Sequence, residues 1–358
     1  VILVKVLSAQ VAGRTERRQT MIPFPKKLQR SPQLLLQAAE EKRGARHLVN
    51  IAGWLVVGSV AVMFAVKTIL FSLVSMTREG NQTPDMQTLY LIYCISYLSL
   101  ALLPILYALG SSYSPEKLLP FQKRKDTGLS RMDMLFLCAV SMALILLANV
   151  PVQLVAMLQQ ALGMSGKIPD MPLDRTTTTQ ILYFGYSVIL APLVEEVLFR
   201  GAVLGCLRKY GDWFAIIMSA LMFGLYHGNV GQFVFASLIG VILGYLRVRT
   251  GSLLPGMLLH LLNNLLPTAE AILLQNYGGN FSEQFTNGYM VVFLIAGAVA
   301  FLLRLIVKGP HSFAKLAVPR DRTAATLSER LRGLFTSAGG VAVLIYGVAF
   351  SIFVMVQV

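Results

Sequence analysis

The chain has 358 residues, of which 55% are hydrophobic and 13% charged, and its formal net charge is +14. Soluble domains carry roughly 25% charged residues, so this composition excludes an ordinary soluble domain and fits a polytopic membrane protein. The excess of Lys and Arg lies between apolar runs and does not gather into one basic surface, which argues against nucleic acid as a partner and for a role in membrane topology.

The first twenty residues, VILVKVLSAQVAGRTERRQT, place a short apolar start before basic residues, the reverse of a signal peptide. They read as part of a cytosolic leader, with Val1 or Met21 as alternative starts. Apolar runs then recur at about 49–76, 87–111, 132–158, 180–209, 212–228, 231–247, 252–272, 287–307 and 339–357. Crossing a hydrocarbon layer ~30 Å thick takes about 20 helical residues, so the expectation is an all-α membrane bundle of about nine spans, eight to nine in number. Alternate connections are rich in Lys and Arg, beginning with the N-terminal region and ending with the stretch KGPHSFAKLAVPRDRTAATLSERLRG. The positive-inside rule therefore puts the N-terminus in the cytosol and the C-terminus outside.

The expected organisation is a basic cytosolic region at 1–47, N-terminal membrane helices at 48–177, a core at 178–275, and C-terminal membrane helices with a basic loop at 276–358. Asn81-Gln82-Thr83 matches a glycosylation sequon on the predicted outer side, a motif common by chance. Cys94, Cys138 and Cys206 are widely spaced in apolar surroundings and suggest neither a disulfide framework nor a metal clip.

Against this background a few charges are out of place. An ionisable side chain deep in a bilayer costs at least ~2.5–3.5 kcal/mol, so Lys67, Glu195, Glu196, Arg200, His227 and His260 each need a reason. Lys67 is isolated, and its long stem can snorkel or meet a helix carbonyl. His47 and His311 lie in basic flanks and read as solvated. Glu196 and Arg200 stand four apart, on one helical face, where they can neutralise each other; a salt bridge that fixes helix register accounts for them as well as function does. Glu195 is turned about 100° from that face and is expected to lack that partner. An unpaired carboxyl in such surroundings suits a general base.

Phe223 and His227 in MFGLYH share a face, as do His260 and Asn264 in LLHLLNN. At 1.5 Å rise per residue, Glu195, His227 and His260 lie about 21, 22 and 16 Å above Lys209, Asp212 and Arg249, so they can share one layer. This requires the fourth helix to run through the glutamates, with a kink expected at Pro192. Ala236, Gly240 and Gly244 form a small-residue seam suited to close helix packing.

The ordered set EEVLFR (Glu195, Glu196, Arg200), FGLYH (Phe223, His227) and HLLNN (His260, Asn264) resembles the CPBP intramembrane proteases, the CAAX-protease and bacteriocin-processing, or Abi, family. The resemblance covers roughly residues 180–270. It implies peptide hydrolysis in a helical cavity, on a membrane-associated protein or peptide substrate: a lipidated CAAX-type C-terminus or a bacteriocin leader. By the same resemblance, Glu195 and His227 would activate water, His260 and Asn264 would stabilise the oxyanion, and Glu196, Arg200 and Phe223 would support them. A base, a positioned water and donors aimed at the developing charge are what amide hydrolysis requires.

No cofactor is favoured, yet Glu195, His227 and His260 also make a zinc set with an open fourth position, and HExxH is absent. Zinc stays open at this point. So do two other functions: a non-catalytic scaffold or immunity protein acting by binding a partner, and a proton-coupled transporter, although no repeated halves are visible. A bacterial plasma membrane is the expected location.

Overall fold

The computed structural model describes residues 31–77, 84–110, 120, 127–164, 173–319 and 321–356. The sequon at Asn81, Met21 and most of the basic loop at 111–126 lie outside the described residues. Among the described residues there is no strand, and the chain is a helical membrane bundle.

Among the described residues, eight helices are long and apolar enough to cross a membrane. They are α1 (Pro32–Met76), α2 (Met86–Gly110), α3 (Arg131–Ala161), α4 (Thr177–Tyr210), α6 (Val230–Thr250), α7 (Leu254–Tyr277), α8 (Gly279–Lys308) and α9 (Ala338–Val356). The ninth expected span is the shorter α5, Asp212–Tyr226. Its 15 residues rise about 22 Å, less than the hydrocarbon thickness. Positive-φ glycines bound it: Gly211 precedes the helix, and Gly228 turns the chain just after His227.

The first helix also departs from expectation. It starts at Pro32, so residues 32–47 are helical and continuous with the span. The local reason is visible in the sequence: Ser31 accepts the amide of Leu34 at 3.3 Å, and Pro32 occupies the first turn, where its missing N–H costs nothing.

Lipid tails are as apolar as leucine, so helices in a bilayer associate by close packing and polar contacts. The seam on α6 works this way against α5: a Cβ at Gly240 would come within 2.8 Å of the Cα of Ala220. Only glycine permits that approach. At the other end of the chain, the Gly339 amide of α9 donates to Asn50 Oδ1 of α1 at 2.8 Å. On α8, Val292, Ile295, Leu302 and Ile306 are exposed, an outward apolar face suited to lipid. The core that positions the site draws on α1, α4, α5 and α9 and includes Val56, Leu198, Phe199, Met222, Phe223 and Val343.

His47 and His311 are exposed, as solvated groups should be. The Lys67 ammonium sits over the Tyr93 ring, 4.6 Å from the centroid. A cation on an aromatic face is compensated without a counter-charge.

Candidate active site

The site is built around an irregular stretch of α4. Residues Gly185–Leu190 and Val197–Val203 are π-helical and flank one α-helical turn and a half, Ala191–Glu196. The expected kink at Pro192 takes this form. Proline lacks an N–H and its ring crowds the preceding turn, and a wider π turn gives that ring room.

The π register has a specific consequence. Ala191 N–H donates to the Tyr186 carbonyl, five residues back, so the next acceptor in the series, Ser187, faces Pro192 and receives no backbone donor from it. Asn264 of α7 fills the gap: its Nδ2 donates to the Ser187 carbonyl at 3.0 Å. Asn264 is thereby fixed on α4, with its Oδ1 accepting from Asn263 Nδ2 at 3.1 Å. One of its two amide protons is taken up by this bond.

Glu196 and Arg200 pair as their spacing predicts, with Nη1 2.9 Å from Oε1 and both side chains fully buried. The guanidinium also lies over the Phe223 ring, 4.3 Å from its centroid. The same Glu196 oxygen is 3.1 Å from His260 Nδ1, so arginine, glutamate and histidine form a chain linking α4 to α7. His260 therefore turns its other nitrogen, Nε2, to Glu195 Oε2 at 3.5 Å. Glu195 and His260 are 5% and 4% exposed, a desolvated pair.

The expectation that Glu195 stands unpaired is corrected here. Besides His260, it accepts a hydrogen bond from the Tyr97 hydroxyl of α2. Sequence periodicity cannot show this, because Tyr97 is 98 residues away on another helix. Membrane helices carry tyrosines for many reasons, so Tyr97 gave no signal of its own.

Phe223 joins the two histidines. Its ring meets His227 edge-on at 4.8 Å and His260 at 5.7 Å, while Phe199 packs on it at 4.9 Å. His227 is the residue immediately after α5 and is half-buried. Its Nδ1 lies 2.8 Å from the Phe223 carbonyl. A carbonyl only accepts, so in the neutral ring Nδ1 carries the proton and Nε2 is left as an acceptor.

The structure thus brings Glu195, Glu196, Arg200, Phe223 and His260 together and packs His227 on the same Phe223 ring. Asn264 reaches α4 at Ser187. A cavity of about 520 Å³ lined by Trp213, Asp321, Ala325 and Arg330 lies by the opposite end of α5 and shares no lining residue with this constellation.

Glu195, His227 and His260 are the residues that would hold a metal. Among the described residues no three His, Cys, Asp or Glu side chains converge as metal ligands. One nitrogen of His260 is engaged by Glu196 and one of His227 by a backbone carbonyl.

Comparison with known proteins places a family match over the segment that carries these residues. The family described as type II CAAX prenyl endopeptidase Rce1-like matches residues 177–266. A curated Escherichia coli protein named "Uncharacterized 24.3 kDa protein" is 33% identical over 94 residues, 25% of this chain and 43% of that protein. The chain thus spans less than half the length of this relative. No solved structure matches. The match runs from the start of α4 through Asn264 and contains each of the three polar motifs in order, on α4, at the end of α5 and on α7 of a membrane bundle: residues 177–266 are similar to the Rce1-like CAAX prenyl endopeptidase family.

Proposed function

We propose that this integral membrane protein is an intramembrane endopeptidase acting on membrane-associated protein or peptide substrates, of the CAAX-type C-terminal or leader-processing kind, in a bacterial plasma membrane. The observation that carries the reading is the Arg200–Glu196–His260–Glu195 chain, which holds a second, separately oriented carboxylate at 3.5 Å from a histidine nitrogen in a buried site. A salt bridge that only fixed helix register would need Glu196 and Arg200 and nothing more.

In the proposed reaction Glu195 takes a proton from water through Oε2, while the Nε2 lone pair of His227 accepts a hydrogen bond from the water's other O–H, which stays intact. Deprotonated water attacks the carbonyl carbon of the scissile amide, and negative charge develops on the carbonyl oxygen. His260, as an imidazolium whose Nδ1–H is held by Glu196, donates its Nε2–H to that oxyanion together with the remaining amide proton of Asn264. Glu195 then returns its proton to the leaving amine. General base catalysis contributes typically 10²–10⁴-fold, and loss of one oxyanion donor costs about 10²–10³-fold. No step requires a metal, and retained turnover in o-phenanthroline is the expected result.

The test is cleavage by the reconstituted protein of an internally quenched peptide bearing a farnesylated cysteine followed by three residues, alongside proteomic comparison of membranes carrying parent or Glu195→Ala protein. Loss of cleavage in Glu195→Ala and His260→Ala, with folding and insertion intact, is expected. Full activity in either variant would sink the proposal. A cellular effect that survives Glu195→Gln but fails when cytosolic loops are altered would favour partner binding.

A further inference from the structure

Glu195 is held in place from outside the family-matched segment. Tyr97, on α2, donates to its Oε1, and the Tyr226 hydroxyl lies 2.8 Å from that of Tyr97. A phenol has one proton; that of Tyr97 goes to the carboxylate, so Tyr226 must donate to Tyr97. The chain of donation runs from Tyr226 on α5 through Tyr97 on α2 to Glu195 on α4. Both hydroxyl-bearing residues are buried.

The rings themselves are clamped. Tyr97 meets Tyr186 edge-on at 5.3 Å, and Tyr226 packs on Phe199 at 5.4 Å and on His227 at 5.3 Å. Phenylalanine would make the same ring contacts without burying a hydroxyl, which is costly unless hydrogen-bonded. The two hydroxyls therefore act on the carboxylate and add nothing to the ring packing. With Oε1 occupied by Tyr97, the oxygen that faces His260 is Oε2.

We infer that Tyr97 is a positioning residue for amide hydrolysis, backed by Tyr226: it pins one oxygen of Glu195 so that the other is presented to water. Tyr97 keeps its proton throughout, and the proton taken from water goes to Oε2. This inference rests on Glu195 acting as the base.

Two readouts on the full-length protein in liposomes test it. The first needs no substrate: the infrared carboxyl band of Glu195, identified by its loss in Glu195→Gln. Tyr97→Phe should shift this band, and Tyr186→Phe should not; an unmoved band in Tyr97→Phe overturns the inference. The second uses the farnesylated quenched peptide. Tyr97→Phe should lower kcat about 10- to 100-fold, the scale of a small misplacement of a reacting group, at unchanged KM and melting temperature. Tyr226→Phe should have a smaller effect, and the double variant should match Tyr97→Phe alone, as residues in one hydrogen-bonded chain do. Parental kcat in Tyr97→Phe, or a loss that tracks melting temperature, overturns the inference. Undiminished turnover in Glu195→Ala would instead overturn the assignment of the base, leaving the infrared result to judge the contact.

Discussion

Among the described residues, the clusters around Asp133 and around Glu196 each join a buried carboxylate to an arginine lying over an aromatic ring, and they differ in how completely their polar atoms are satisfied. At the basic end of α3 and α8, Asp133 accepts from Arg304 at 2.8 Å, from Lys315 at 2.9 Å, and from the Ser130 amide and hydroxyl at 2.9 and 2.8 Å. Arg304 also donates to the Ser312 carbonyl at 2.7 Å and lies over Phe136 at 4.7 Å, and only its Nε lacks a hydrogen bond. In the middle of α4, by contrast, Arg200 Nη1 is close to Glu196, yet among the described residues none of the three guanidinium nitrogens has an aligned acceptor and Glu196 Oε2 has no donor.

Buried polar groups are nearly always bonded, so a cluster that saturates its atoms is explained by structure alone. The cluster around Asp133 ties two membrane helices to the following loop and caps α3. The cluster around Arg200 leaves part of its bonding capacity unused beside a second carboxylate. The aromatic face of Phe223 supplies part of what Arg200 lacks, since a desolvated cation on a ring gains up to about 2 kcal/mol.

Substitutions that separate fold from chemistry put this contrast at risk. The largest effect is expected from Arg200→Met, which leaves Glu196 as an uncompensated buried charge and releases His260's anchor. Stability in mixed micelles should fall by about 3–5 kcal/mol, and cleavage per folded molecule should fall with it. Arg304→Met should cost a similar amount, about 3 kcal/mol at the low end of that range, because Asp133 keeps Lys315 and Ser130. Here cleavage per folded molecule should stay within about twofold of the parent, the scale of a perturbation remote from the site; a large loss of turnover in the folded fraction would erase the distinction between the clusters.

Smaller changes sharpen the contrast. Ser130→Ala removes the capping box of α3 and should lower denaturant stability by about 1 kcal/mol. Lys315→Ala should do less, about 0.2–1 kcal/mol, because its side chain is 48% exposed and water screens the pair. If Lys315→Ala proved as damaging as Arg304→Met, the view of Arg304 as the main partner of Asp133 would be wrong.

Sequence determined the membrane class, the order of the helices and the Glu196–Arg200 pair, because these depend on composition and on spacing within one helix. The three polar motifs were visible for the same reason: ionisable residues inside apolar runs are costly wherever the runs later pack. Tertiary structure alone decided the rest. It set the short α5 with His227 at its end, the π turns around Pro192, and the use of Asn264 on the Ser187 carbonyl. It also gave Glu195 the partner that its helical face could not provide, Tyr97 from α2. Such contacts join residues tens of positions apart through helix packing, and periodicity along one chain segment carries no information about which neighbour a side chain will meet.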